Sequence, residues 1–234
     1  MSAIAENIHH IRQQIATFAT DCGRPAAEIQ LLAVSKTKPV SAIREAYAAG
    51  QVAFGENYLQ EALDKINQLR DLPLEWHFIG GIQSNKTRPI AENFDWVHTL
   101  ASAKHARRLN DQRPAQMPPL NVCIQINVSG EQSKVGIQAA ELMPLAKTIM
   151  ELPQLSLRGL MTIPAPTPNV AVQRQAFAQL SQLQTVLKAA QINTDTLSMG
   201  MTADLQAAIA EGSTLVRIGT AIFGQRQPRQ TNET

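Results

Sequence analysis

The chain of 234 residues is 44% hydrophobic and 17% charged, a balance that allows a substantial buried core and excludes a disordered polyelectrolyte. With 21 Lys and Arg against 19 Asp and Glu, the formal net charge of +2 gives no general electrostatic reason to expect nucleic acid or an anionic membrane as partner, though a phosphorylated small molecule stays open. Met1 to His10 carries Glu6 and two histidines in place of a basic flank and an apolar run, and no stretch reaches the ~18 consecutive apolar residues of a membrane span, so the sequence reads as a soluble, cytoplasmic, untargeted protein.

Ile4, Ile8, Ile11, Ile15 and Phe18 recur at spacings of four, three, four and three and predict a helix with one buried face, stopped by Gly23 and Pro25. Short apolar runs separated by helical stretches follow: Ile29–Val34, Val52–Phe54, Trp76–Ile79, Trp96–Thr99, Val122–Val128, Leu155–Ile163, Thr196–Ser198 and Leu215–Ile218. The intervening helix signals include Ser41 as a cap for Ala42–Ala49 before Gly50, and a Leu59, Leu63, Ile66, Leu69 stripe. Eight strand–helix units in 234 residues match the usual size of a closed parallel (β/α)₈ TIM barrel, about 250 residues, as a single domain. An open doubly wound sheet is the alternative, but no Gly-rich dinucleotide turn follows the first strand. Beyond the eighth strand only Ile222 and Phe223 precede a polar tail, Gln225–Thr234. That is too little for a closing helix, and the N-terminal helix is expected to fill the gap. Arg113–Pro119 and Pro164–Pro168 read as ordered loops, and the basic group Lys104, His105, Arg107, Arg108 and Arg113 as a solvated helix face. Cys22 at a helix end and Cys123 in an apolar strand suit free thiols in a reducing compartment.

In such a barrel, function gathers at the carboxyl ends of the strands, with phosphate commonly held after strands seven and eight. Ser198-Met199-Gly200-Met201-Thr202, leading to a helix expected near Ala203, and Gly219-Thr220-Ala221 each offer a glycine, a hydroxyl and N–H groups at a turn, which suit a phosphate dianion. The alternative is that Gly200 and Gly219 permit tight turns and Thr202 caps a helix. The first strand ends Val34-Ser35-Lys36-Thr37-Lys38-Pro39. An ammonium there must lie in water, pair with an anion such as Glu56, or become an imine; Lys36 is preferred to Lys38, which directly precedes Pro39. Period two puts Arg217 on the face shared with Gly219, directed into the barrel mouth. It needs a carboxylate, a phosphate or a heterocyclic nitrogen as acceptor. Asn57, after strand two, offers a donor and an acceptor or serves simply as a turn residue. His77 reads first as a satisfied interior histidine. No metal-ligand spacing occurs.

Six segments, Ala33–Pro39, Phe54–Tyr58, Glu75–Gly80 followed by Gln83–Lys86, Arg158–Met161, Leu197–Met201 and Val216–Gly224, closely resemble the pyridoxal phosphate homeostasis protein family in the same order and across essentially the whole chain. The resemblance implies a barrel like the N-terminal domain of alanine racemase. It implies that Lys36 holds pyridoxal 5′-phosphate as a Schiff base. Ser198, Gly200, Met201 and Thr202, with Gly219 and Thr220, would hold its phosphate, and Arg217 would face the pyridine nitrogen. Asn57, His77 and Met161 would line the ring. One departure is Gly80-Gly81-Ile82, where relatives often show Gly-Pro-Leu or a similar triplet.

An arginine opposite the ring nitrogen donates to an unprotonated nitrogen and weakens carbanion stabilisation, whereas a carboxylate would make the ring a strong electron sink. The function expected is therefore a noncatalytic carrier or buffer of the cofactor, supplying apoenzymes and affecting amino-acid balance, and acting as a monomer. A racemase-like enzyme is the alternative. Alanine racemases take a second acid/base tyrosine from a C-terminal domain for which this chain has no counterpart before Thr234, so Tyr58 or His77 would have to serve. A Schiff-base aldolase using Lys36 directly would be colourless.

Overall fold

The computed structural model describes residues 2–129 and 135–225; the expected tail from 226 onward lies outside them. Eight strands, β1 (Gln30–Val34), β2 (Ala53–Glu56), β3 (Glu75–Phe78), β4 (Trp96–Leu100), β5 (Leu120–Gln125), β6 (Leu155–Met161), β7 (Thr196–Ser198) and β8 (Leu215–Ile218), close in sequence order into a barrel. Neighbouring strands are parallel, and β8 pairs with β1 through Leu32 opposite Arg217. The expected TIM barrel is therefore present, and the open sheet is not.

Alternation along each strand sorts the core into two parts. Residues such as Ala33, Phe54, Phe78, Val97, Ile124, Leu160 and Val216 belong to one continuous apolar layer that includes the helix faces. The other parity supplies two small groups, Leu32, Ala53 and Leu215 with Ile79, and Trp96, Cys123 and Met161. The remaining inward positions, among them His77, His98, Ser198 and Arg217, are polar and buried.

The helices are α1 (Ala3–Asp21), α2 (Val40–Ala48), α3 (Leu59–Gln68), α4 (Thr87–Asn93), α5 (Ala103–Gln112), α6 (Leu142–Met150), α7 (Val170–Ala189), α8 (Leu205–Ala210) and the four-residue α9 (Thr220–Phe223). As expected, α1 occupies the place a full eighth helix would take. It buries Ile8, Ile11, Ile15 and Ala19, packs on α2, α8 and α9, and its Asn7 Nδ2 donates to the Ile222 carbonyl at 2.9 Å. None of the helices among the described residues is long and apolar enough to cross a membrane.

Five expectations are corrected. Helix α2 starts at Val40 after Pro39, not at Ala42 after Ser41, because proline already holds the pre-helical geometry. Helix α8 starts at Leu205: Asp204 Oδ1 accepts from the Met201 N–H at 2.6 Å and turns the chain before the helix can begin. Strand β5 stops at Gln125, beyond which Ile126 forms a separate bridge with Ile137, and β6 stops at Met161. Arg113 is not on a solvated face. It is buried, its guanidinium donating to the carbonyls of Ala91 and Phe94 at 2.7 Å and of Pro118 at 2.9 Å. Cys22 is exposed and Cys123 buried, both as free thiols.

Candidate functional site

Lys36 lies half-buried two residues past the end of β1, on the parity of Leu32 and Val34, which faces the barrel axis. Both its chain neighbours are clamped. Ser35 donates its hydroxyl to Glu56 Oε1 at 2.6 Å, and its carbonyl accepts from Lys65 Nζ at 2.8 Å. The Thr37 N–H donates to Glu61 Oε1 at 2.5 Å and holds Thr37 at φ 64°, a left-handed conformation costly to a β-branched residue. Lys65 Nζ ties the two carboxylates together, 2.8 Å from Glu56 and 2.5 Å from Glu61. Burial pushes the Glu56 carboxyl up, and the adjacent Lys65 ammonium pulls it back. Glu56, weighed from the sequence as a partner for Lys36, is paired with Lys65. Lys38 holds the rim together: its Nζ donates to the carbonyls of Phe223, Gly224 and Gln225 at 2.9, 3.0 and 2.8 Å, tying the β1–α2 loop to the end of α9.

Arg217 is 4% exposed on β8. Its Nη1 donates to Ser198 Oγ at 2.7 Å and its Nη2 to the Thr162 carbonyl at 2.9 Å. Among the described residues no carboxylate lies within ion-pair distance of it. Burial pulls its pKa down to about 10, and Asp204 opposes the shift from a distance; at neutral pH it remains a cation. The structural ion pair considered for Arg217 is not formed.

The rim loops meet at the same end. Gly200 has φ +99°, and a Cβ there would stand 2.6 Å from Ala208 Cβ, so only glycine fits. Its carbonyl accepts from the Arg217 N–H at 2.9 Å. A Cβ at Gly219 would stand 3.2 Å from the Val34 carbonyl oxygen, which shows how closely the β8 rim approaches the strand bearing Lys36. Thr202 and Thr220 are exposed on these loops, and the first N–H groups of α9 lack partners within that helix. The Met201 N–H is engaged by Asp204. Asn57 follows β2 beside β1, and its buried Oδ1 has no hydrogen-bond partner among the described residues. Behind it, a Cβ on Gly80 would stand 2.1 Å from the Asn57 carbonyl oxygen, whereas one on Gly81 would meet nothing within 4 Å. The departure at Gly81 is thus in open space.

Three of the side chains that the resemblance assigns to the ring and the phosphate lie inside the barrel. Met161 is fully buried against Trp96 and Cys123. The Ser198 hydroxyl is 2.7 Å from Arg217 and 2.8 Å from His98 Nδ1, among the side chains of the barrel interior. His77 is fully buried with both ring nitrogens engaged, Nε2 at 2.6 Å from Glu75 Oε1 and Nδ1 at 2.8 Å from His98 Nε2. It is a satisfied interior histidine, as its strand position suggests, and it offers no nitrogen to a ring above it. Sequence reasoning missed His98, Lys65, Glu61 and Asp204. Two signals were local: His98 shares parity with Trp96 on β4, and Glu61 and Lys65 stand one helical turn apart. No group of three or more His, Cys, Asp or Glu among the described residues has the arrangement of a metal site.

The family model described as the alanine racemase N-terminal domain matches residues 2–227. The pyridoxal phosphate homeostasis protein of Pseudomonas aeruginosa is 59% identical over 97% of this chain and 97% of its own length. That of Escherichia coli K12 is 57% identical, covering 97% of this chain and 98% of the relative. A solved structure of PipY from Synechococcus elongatus with PLP bound superposes with a TM-score of 0.82 at 39% identity, covering 94% of this chain and 100% of that one. A buried arginine with no carboxylate partner among the described residues, on the strand next to the one that leads to Lys36, thus sits in a barrel of known lineage: the chain belongs to the pyridoxal phosphate homeostasis protein family, built on the alanine racemase N-terminal domain.

Proposed function

We propose that the protein binds pyridoxal 5′-phosphate reversibly at the carboxyl-terminal mouth of the barrel and acts as a noncatalytic carrier that limits free cofactor and supplies it to apoenzymes. The observation that carries this reading is Arg217, a buried guanidinium with three of its five N–H donors left among the described residues after Ser198 and Thr162 are served. A heterocyclic nitrogen is an acceptor that such a cation can serve without a buried carboxylate. The residues present fit the group: the orphaned Asn57 Oδ1 lies by the β1 loop, and glycines at 200 and 219 let backbone approach an anion.

When bound, the cofactor supplies an aldehyde that condenses with an amine and a ring that withdraws electrons. Lys36 would provide the amine, on a loop whose two flanking peptides are fixed by Glu56, Glu61 and Lys65. The turns at Gly200–Thr202 and Gly219–Thr220 would hold the phosphate. Arg217 keeps a donor toward the ring nitrogen and so restrains carbanion chemistry. The carrier is favoured over a racemase because His77, one of the two side chains that might serve as second base, has both nitrogens engaged in the interior. We take the single barrel to act as a monomer, which light scattering of the cofactor-loaded protein tests.

Borohydride reduction and peptide mass mapping test the site. A pyridoxyl adduct is expected on Lys36 in the wild type and in Lys38→Ala, and none in Lys36→Ala; an adduct only on another lysine overturns the assignment. Incubation of the loaded protein with L-alanine in deuterated water tests the absence of catalysis. Sustained α-proton exchange at enzyme-like rates refutes it.

A further inference from the structure

The polar side chains inside the barrel form one continuous line. It starts at Glu75, whose side chain is 40% exposed at the amino end of β3, and runs Glu75 Oε1 to His77 Nε2 at 2.6 Å, His77 Nδ1 to His98 Nε2 at 2.8 Å, His98 Nδ1 to Ser198 Oγ at 2.8 Å, and Ser198 Oγ to Arg217 Nη1 at 2.7 Å. The three middle side chains are fully buried. The His77 ring lies parallel to Trp96, centroids 5.3 Å apart and planes within 6°, so the indole covers one face of the imidazole.

The ends, with both imidazoles neutral, fix the sense of every bond. A guanidinium only donates, so Ser198 Oγ accepts from Arg217. A carboxylate only accepts, so His77 must carry its hydrogen on Nε2. With both imidazoles neutral, the bare Nδ1 of His77 accepts from His98 Nε2–H, and the His98 Nδ1 left bare accepts the Ser198 hydroxyl hydrogen. Four bonds form with two neutral imidazoles and no proton left over. Burial pushes both imidazoles toward the neutral form, His98 strongly. The reverse tautomer of His98 would require Nδ1–H on His77, and hence an extra proton on His77 or on Glu75. Along such a line each donor polarises the next, so a hydroxyl whose own hydrogen is engaged becomes a stronger acceptor.

We propose that His98, acting through Ser198, is a positioning residue for Arg217: the one-way line from Arg217 to Glu75 pins one corner of the guanidinium while the Thr162 carbonyl pins the other, so that its remaining donors are held toward the cofactor ring. This rests on the cofactor reading above, but its first test needs no cofactor. In cofactor-free protein labelled with ¹⁵N-histidine, both His77 and His98 are expected as neutral Nε2–H tautomers. Either an Nδ1–H tautomer or an imidazolium at His98 overturns the proposal.

The second test uses protein loaded with pyridoxal phosphate. Ser198→Ala and His98→Phe remove a link each; both are expected to shift the absorbance maximum of the bound cofactor and to weaken its binding about tenfold, the scale of one hydrogen bond to a charged group. Ser198→Thr, which restores a hydroxyl, and Glu75→Gln, which keeps an acceptor for His77, are expected to retain the wild-type spectrum. Should His98→Phe not fold, the Ser198→Ala and Ser198→Thr pair decides. Wild-type spectrum and affinity in Ser198→Ala, or loss not rescued by threonine, overturns the positioning role. The two readings fail differently: without any adduct on Lys36 the cofactor reading fails, whereas an adduct on Lys36 with chain variants like wild type sinks this one alone.

Discussion

Lys65→Met is the most searching perturbation of the loop that carries Lys36. The Lys65 ammonium, on a side chain 6% exposed, serves Glu56, Glu61 and the Ser35 carbonyl at 2.8, 2.5 and 2.8 Å. Removing it leaves the Glu56 carboxylate, fully buried, with only the Ser35 hydroxyl, and its Oε2 already lacks a partner among the described residues. Breaking a buried pair from one side costs about 3–5 kcal/mol, a large fraction of the 5–15 kcal/mol that typically holds a domain together. The sign with pH follows from Glu56. Burial already raises its folded pKa, and loss of Lys65 raises it further. A carboxyl raised in the fold is favoured there in its protonated form, so its contribution is greatest below the unfolded value, about 4.3, and is lost as pH rises through the folded value. The deficit of Lys65→Met is therefore expected to be near its full size at about pH 8 and to shrink at about pH 5.5, by up to about 1.4 kcal/mol for each pH unit between the two pKa values. Urea unfolding of wild type and variant at both pH values measures it, and Glu56→Gln/Lys65→Met, which leaves no buried charge, is expected to recover most of the loss. A deficit under about 1 kcal/mol at both pH values would show that Glu56 stays hydrated and that the clamp does not hold the loop.

Neighbouring glycines are expected to behave oppositely: Gly80→Ala forces the Asn57 carbonyl away and costs about 1–3 kcal/mol, while Gly81→Ala is within about 0.5 kcal/mol of wild type. Equal thermal midpoints for the two would contradict the close approach. Arg113→Ala leaves three carbonyls without their donor and is expected to lower stability by about 1–3 kcal/mol, whereas Arg107→Ala, on the exposed side of α5, changes little; urea unfolding separates them. Burial pushes the Cys123 thiol up to about 12, so a thiol reagent at neutral pH should modify Cys22 at once and Cys123 only after unfolding. Two equivalents reacting at the same rate in native protein would refute the packing around Trp96 and Met161.

How much was legible depended on the range of the cause. The barrel was readable because each strand and helix announces itself locally, and because eight strand–helix repeats in this length leave few other closures. Boundaries were less so. Ser41 looks like a cap, yet Pro39 had already set the turn; Asp204 captured the Met201 N–H and delayed α8. At the site, Lys36, Arg217 and the two glycine turns stood out through residue type and strand parity. What parity could not supply was depth. His77 meets His98 because β3 and β4 pair with His77 opposite Trp96, a register no local pattern encodes. Across the barrel from β4, His98 meets Ser198 on β7, so the hydroxyl that the resemblance assigns to a phosphate lies between a histidine on one side and a guanidinium on the other. Among the described residues no carboxylate stands beside Arg217 inside the barrel. Its anionic counterpart, Glu75, stands at the far end of a line of four hydrogen bonds, partly in water, where its charge costs little to keep. A carboxylate placed directly beside Arg217 would satisfy the guanidinium locally; on the proposed cofactor reading, the distance between the two charges is what would leave its remaining donors to a ring nitrogen.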